Sequence, residues 1–114
     1  MLIKKENMVH EQRTHWRDGK GTADVIHFTK TDNPPKWRFA GVMIFEPGTS
    51  IGNHVHSGEY ELYYVLEGEG TLLDNGVPVQ VGPGDAVYTG NGASHSLENT
   101  GTTTLKVLGI VVQE

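Results

Sequence analysis

The chain has 114 residues, a formal net charge of −5 and no cysteine, which fits one compact domain without disulfide bonds or thiolate ligands. The mild acidity argues against a nucleic-acid surface, which would need a basic patch, and no apolar run approaches a transmembrane length. The first residues lack the apolar segment of a secretory signal. We therefore expect a soluble, cytoplasmic protein that interacts with neither nucleic acid nor membrane.

The N-terminal residues are polar and poorly periodic up to a Gly-Lys-Gly segment at 19–21. We interpret residues 1–22 as an N-terminal arm and residues 23–114 as a single domain. The few basic residues between Arg13 and Lys20 do not form a stripe, so their expected role is solvated surface.

Three strands are predicted in the first half of the domain, at 23–29, 37–45 and 60–66. His27 in the first strand is a lone histidine, for which we expect only a surface or hydrogen-bonding role. The other two strands are almost continuously apolar, which is typical of strands covered on both faces. One face can line a barrel, and the other must meet a second layer or another chain, which favours a homodimer.

The second half of the chain contains strong turn signals. The Asn-Gly pair at 75–76 supplies the positive φ angles of a type I′ hairpin turn, and Pro78 places the next strand at a sheet edge. Further turns at 82–84 and 90–92 separate short strands, of which the last is predicted at 103–112. Eight or more short strands without a long helix predict an all-β antiparallel barrel or sandwich.

Candidate metal ligands follow Gly48. His54 and His56 are one residue apart, so on a strand both side chains leave the same face. Glu61 follows after a Ser-Gly bend, and a strand returning beside the first would bring its carboxylate to the imidazoles. Imidazole and carboxylate together suit Mn, Fe, Co, Ni, Cu or Zn, although a His-x-His pattern alone is more often two surface histidines.

A second histidine motif lies 34 residues beyond Glu61, in the segment GDAVYTGNGASHSLEN that contains His95. Together the two segments resemble the cupin superfamily, whose motifs are G-x5-H-x-H-x3,4-E-x6-G and G-x5-P-x-G-x2-H-x3-N. The matching positions are Gly48, His54, His56, Glu61 and Gly68 in the first motif, and Gly84, Gly92, His95 and Asn99 in the second. Gly90 stands where the second motif has proline, so we expect a less rigid approach to His95.

The resemblance implies a small jelly-roll barrel, a double-stranded β-helix, which in this family is usually a homodimer with a metal inside. By carry-over, one divalent transition-metal ion (Mn, Fe, Zn, Ni, Co or Cu) would be held by His54, His56, Glu61 and His95. Small members resemble oxalate-decarboxylase-like, dioxygenase and isomerase cupins. The implied function is a metal-dependent enzyme acting on a small polar or carboxylate molecule.

Other side chains near these motifs have open roles. Glu59 is expected at the rim, but it or Tyr63 could supply a general acid or base if either reaches the cavity. Arg38 would clamp a substrate carboxylate if it pointed inward, although a surface position is the expectation. Because no acid–base pair is obvious besides the ligands, a non-catalytic module that binds a small ligand is the alternative function.

Overall fold

The computed structural model describes all 114 residues, and ten strands form two antiparallel sheets. The strands are β1 (Val9–Thr14), β2 (Thr22–His27), β3 (Trp37–Phe45), β4 (Ser50–Val55), β5 (Glu59–Glu67), β6 (Gly70–Asp74), β7 (Val77–Val81), β8 (Ala86–Gly90), β9 (Ser94–Glu98) and β10 (Leu105–Gln113). The only helices are two 3₁₀ turns, Lys5–Asn7 and Trp16–Asp18. The predicted all-β jelly roll is confirmed, and no helix is long and apolar enough to cross a membrane.

The two sheets face each other across one core. The first sheet has the order β1-β2-β3-β10-β5-β8, and the second has the order β4-β9-β6-β7. Because alternate residues of a strand point to opposite faces, each sheet contributes one set of apolar side chains to the interior. Fully buried members of this core include Met43, Phe45, Tyr63, Val65, Leu72, Leu97, Leu105 and Val107.

Strand β5 has two apolar faces, as predicted, but only one of them is covered within the chain. Tyr63 and Val65 are buried between the sheets, whereas Leu62, Tyr64 and Leu66 keep 38%, 40% and 46% of their surface exposed. The outer face of the six-stranded sheet is therefore apolar and open in the single chain.

The hairpin between β6 and β7 forms as its sequence predicts. Asn75 and Gly76 have φ angles of 49° and 87°, which a type I′ turn requires. Strand β7 pairs only with β6, so Pro78 lies at a sheet edge, where a missing N–H donor costs no ladder hydrogen bond.

The N-terminal segment adds a strand to the six-stranded sheet. Strand β1 pairs with β2 along its whole length, and the tip of this hairpin lies against β4. At the tip, the Lys20 amide donates to Ser50 Oγ at 2.9 Å, and the Ser50 amide donates to the Lys20 carbonyl at 3.0 Å. The division into an arm and a domain stays a prediction, but β1 and the tip lie directly beside the candidate site.

Candidate metal centre

Three imidazoles converge from the four-stranded sheet. Strands β4 and β9 pair so that His54 and His95 are directly opposite each other, and His56 follows immediately after β4. The Nε2 atom of His95 lies 2.9 Å from that of His54 and 3.0 Å from that of His56. Pairing of β4 with β9 therefore joins the two histidine motifs at one point.

The carboxylate arrives from the opposite sheet. We expected a strand returning beside β4 to carry Glu61, and this was wrong: β4 pairs with β9, whereas β5 pairs with β10 and β8. Glu61 instead points across the barrel, because its strand face is the inner one. Its Oε1 atom lies 3.0 Å from His56 Nε2, 3.1 Å from His95 Nε2 and 4.0 Å from His54 Nε2.

These four donor atoms fit a metal ion. One donor atom from each side chain lies within 4.8 Å of every other, and all four side chains are nearly inaccessible to solvent. The Nδ1–H of His54 donates to the Gly52 carbonyl at 2.7 Å, which leaves its Nε2 lone pair facing the centre. Lone pairs and a carboxylate that face one another at about 3 Å repel unless a cation lies between them, and this is the spacing of neighbouring ligands on a transition metal.

The charges of the site are strongly coupled. Burial alone would raise the pKa of Glu61, but the three neighbouring imidazoles lower it well below the usual value. Burial lowers the pKa of His95. For His56 burial acts in the same direction, yet hydrogen bonds to Glu61 and Glu59 outweigh it and raise the pKa. Glu61 is therefore ionised and can act as an anionic ligand.

Glu59 and Arg38 form a second layer behind His56. The Nδ1–H of His56 donates to Glu59 Oε2 at 2.5 Å, and Arg38 donates from Nε and Nη2 to the two oxygens of Glu59 at 2.8 and 2.7 Å. A carboxylate of this kind fixes the ring orientation of a metal-binding histidine. Glu59 lies at the start of β5, and both oxygens of its carboxylate are occupied by these partners. Arg38 therefore clamps the carboxylate of Glu59.

Tyr63 faces inward, as its alternation with Glu61 predicts. Its ring stacks on His95 at 4.6 Å, and its hydroxyl is buried without a hydrogen-bond partner. Burial and the negative charge of Glu61 raise its pKa well above 10. Tyr63 therefore packs against His95 with its hydroxyl protonated. Asn99, in contrast, serves the backbone, with its amide bound to the carbonyls of Phe45 and Thr103.

A cavity of about 240 Å³ opens beside three of the four donors. Its lining includes His54, His56 and Glu61 together with an unusual number of basic side chains: Arg13, Arg17, Lys30, Arg38 and His27. Sequence reasoning missed this, because it assigned the basic residues between 13 and 20 to solvated surface and His27 to a minor role. Only the fold of the β1–β2 hairpin against β4 brings them to the cavity.

The fold and the site together define a cupin, and the chain belongs to that family: residues 41–111 match the model of the cupin domain. It is 39% identical to an oxalate-binding protein of Thermotoga maritima over 113 residues. The alignment covers 98% of this chain and 93% of that protein. A solved structure described as a predicted oxalate decarboxylase from the same organism matches all of both chains, with 38% identity and a TM-score of 0.93. A polyketide cyclase of Streptomyces resistomycificus shares the fold alone, at 19% identity and a TM-score of 0.78 over 99% of this chain and 78% of that one.

Proposed function

We propose that this protein binds one divalent transition-metal ion through His54, His56, Glu61 and His95. The observation that carries the proposal is the convergence of these four buried donors, three of which line a cavity with basic walls. A bound ion would supply a Lewis acid for an oxygen ligand. Imidazole and carboxylate suit Mn, Fe, Co, Ni, Cu or Zn, and they do not select among these metals.

We further propose that the molecule taken up beside the metal is a small organic acid. Basic side chains line the cavity, and an anion is the chemistry that they complement. The relative named as an oxalate-binding protein supports oxalate as a first ligand to test. In the first candidate function, the protein is an enzyme that converts this acid with the help of the bound metal.

Binding without conversion is the second candidate, and the state of the cavity's acid and base groups favours it. The carboxylate of Glu59 is engaged by Arg38 and His56, Tyr63 does not line the cavity, and His27 is bound to Glu11 at 2.8 Å. No side chain with a free carboxylate or imidazole is left beside the four donors to move a proton.

One experiment separates these candidates. Protein loaded with each metal is titrated with oxalate in a calorimeter, and the mixture is then followed by NMR under air and under argon. Binding that needs metal and is lost in His54→Ala, but not in the exposed control His10→Ala, supports the metal site. New carbon signals identify an enzyme, whereas unchanged oxalate in every mixture identifies a binding module. Equal metal content in the two variants would contradict the proposed ligands.

We also propose that the protein is a homodimer formed through the outer face of the six-stranded sheet. On this face Leu62 pairs with Ile110, and Tyr64 pairs with Leu108. Exposed apolar patches of this kind are typical of interfaces. The cytoplasmic location expected from the sequence remains a prediction, which fractionation of expressing cells would test.

A further inference from the structure

The basic side chains of the cavity differ in what neutralises them. Arg13 and Lys30 both donate to Glu11, at 2.8 and 3.2 Å, and this carboxylate also accepts a hydrogen bond from His27. Arg17 takes part in no salt bridge and no side-chain hydrogen bond, although it lines the cavity together with the candidate metal ligands. An unpaired guanidinium at the wall of a binding cavity is matched to carboxylate or phosphate.

The loop that carries Arg17 is held in a costly conformation. His15, Arg17 and Asp18 have φ angles of 51°, 52° and 63°, in the left-handed region that residues other than glycine rarely adopt. Such strain persists only where the surroundings impose it, and it is frequent at ligand-binding sites.

Two contacts impose this conformation. Trp16 stacks on buried Phe45 with ring centroids 6.4 Å apart, which anchors the residue before Arg17. The carbonyl oxygen of Arg17 lies so close to Gly52 that a Cβ atom there would be 2.0 Å from it. The loop is therefore pressed against the strand that carries His54, and the position of Arg17 relative to the metal ligands is built into the fold.

We infer that Arg17 is a specificity-determining residue that binds a second anionic group of the ligand, at a distance from the group that meets the metal. This inference rests on the proposed function, in which the first group is a carboxylate beside the metal. Arg17 lines the same cavity of about 240 Å³ as His54, His56 and Glu61, so one ligand can meet both the metal and the guanidinium. The ligand class is an organic acid with two separated anionic groups, of which the second is a carboxylate or a phosphate.

The test compares small carboxylic acids that carry a second anionic group with glycolate, which carries none. Calorimetry on protein loaded with Mn²⁺, and separately with Zn²⁺, measures the Kd of glycolate, oxalate, malate and phosphoglycolate. We expect malate or phosphoglycolate to bind about tenfold or more tightly than glycolate, as charge-assisted hydrogen bonds allow. The better of the two identifies the second group as carboxylate or phosphate.

Three variants decide whether Arg17 is responsible. Arg17→Gln is expected to abolish the advantage of the longer ligand, so that malate and phosphoglycolate bind this variant no more tightly than glycolate does. Lys20→Gln is the matched control, because it removes the same charge from the same loop while its ammonium group, 70% exposed, pairs with Glu98 instead. Arg17→Gly should lose the same advantage without lowering the Tm, since glycine adopts the left-handed conformation freely.

Different failures have different meanings. If glycolate binds only with metal, but malate and phosphoglycolate gain nothing or Arg17→Gln changes nothing, the role of Arg17 is overturned and the proposed function stands. Equal losses in Arg17→Gln and Lys20→Gln would also overturn it, because they would reflect net charge alone. If no acid binds, or binding is the same without metal, the proposed function fails and this inference fails with it.

Discussion

Glu59 and Glu61 show how two carboxylates on one strand face acquire different tasks. Glu61 is nearly buried and meets three imidazoles, whereas Glu59 lies at the edge and reaches only the far nitrogen of His56. The guanidinium of Arg38 holds the pKa of Glu59 below its usual value, although partial burial opposes this. Glu59 therefore stays ionised and can orient His56 without binding the metal itself.

Replacing Glu59 tests this positioning role. In Glu59→Gln the charge that holds His56 and Arg38 is lost, so we expect metal affinity to fall by about tenfold to a hundredfold. Competition with a coloured chelator measures the change. The control is Glu67→Gln on the same strand, whose side chain is 57% exposed and which should bind metal as the wild type does. Unchanged affinity in Glu59→Gln would remove Glu59 from the site.

Gly90 has a packing role that explains the missing proline of the second motif. A Cβ atom at this position would lie 2.0 Å from the ring of Tyr60, which pairs with Gly90 across the strands. The aromatic ring occupies the space that a proline side chain would need, which accounts for glycine at this position.

We therefore expect Gly90→Ala to lower the free energy of unfolding by about 1–3 kcal/mol through overpacking. Urea denaturation measures it. The double variant Gly90→Ala/Tyr60→Ala should recover part of the loss, because the clashing ring is gone. Gly82→Ala is the control, since a Cβ atom at Gly82 would have no other atom within 4 Å and the backbone there is not left-handed. A Gly90→Ala protein as stable as this control would contradict the packing role.

At the scale of strands, the sequence was sufficient for the parts that depend on local chemistry. The turn at 75–76, the edge position of Pro78 and the inward alternation of Glu61 and Tyr63 all follow from residue type and period. The two histidine motifs also predicted which four side chains meet, and these four lie together in the structure. In each case the determining residues are neighbours in the chain or share a family motif.

The parts that sequence reasoning missed depend on contacts between distant segments. Nothing local to Glu61 indicates that its strand lies in the opposite sheet from His54. Nothing in the polar segment before residue 22 indicates that β1 pairs with β2 and brings Arg13 and Arg17 to the cavity. The sequence did show two arginines close together before β2. They could be assigned to the cavity only once the position of β4 was known.

Strand β1 provides a prediction for pH dependence through Glu11. Hydrogen bonds from His27, Arg13 and Lys30 lower the pKa of Glu11 from 4.5 to about 2. A carboxylate with a lowered folded-state pKa stabilises the protein above its unfolded pKa, and this stabilisation is lost as the pH falls through the folded value. The Tm difference between wild type and Glu11→Gln should therefore be largest at neutral pH and shrink between about pH 4.5 and 2.

Calorimetric scans of both proteins across this range measure the difference. Glu6→Gln is a suitable control, because Glu6 is exposed in the N-terminal segment and has no salt bridge; its Tm difference should be small at every pH. If the wild type kept its higher Tm over Glu11→Gln at about pH 2, the stabilisation by Glu11 would not depend on the charge of its carboxylate.

At the scale of the molecule, the metal site joins the two sheets. His54, His56 and His95 belong to the four-stranded side and Glu61 to the six-stranded side, so a bound ion links both layers at one end of the core. A ligand that binds only the folded state adds about 2.7 kcal/mol to the free energy of unfolding at a hundred times its Kd. We expect such an increase on metal addition, reversal by a chelator, and no increase in His54→Ala. An equal increase in His54→Ala would place metal binding elsewhere.

The back of the same strand connects the site to oligomeric state. Leu62 lies next to Glu61 on β5 but on the opposite face, with 38% of its surface exposed, beside Tyr64 at 40%. Covering these side chains with a second copy would remove apolar surface from water. It would also hold β5, and with it Glu61, in place.

We expect Leu62→Glu/Tyr64→Glu to sediment as a monomer where the wild type is a dimer, and to bind metal more weakly. Val77→Glu is the control, because Val77 is 61% exposed on edge strand β7 of the other sheet. Wild-type protein that sediments only as a monomer at micromolar concentration would contradict the dimer and leave the outer face without this role.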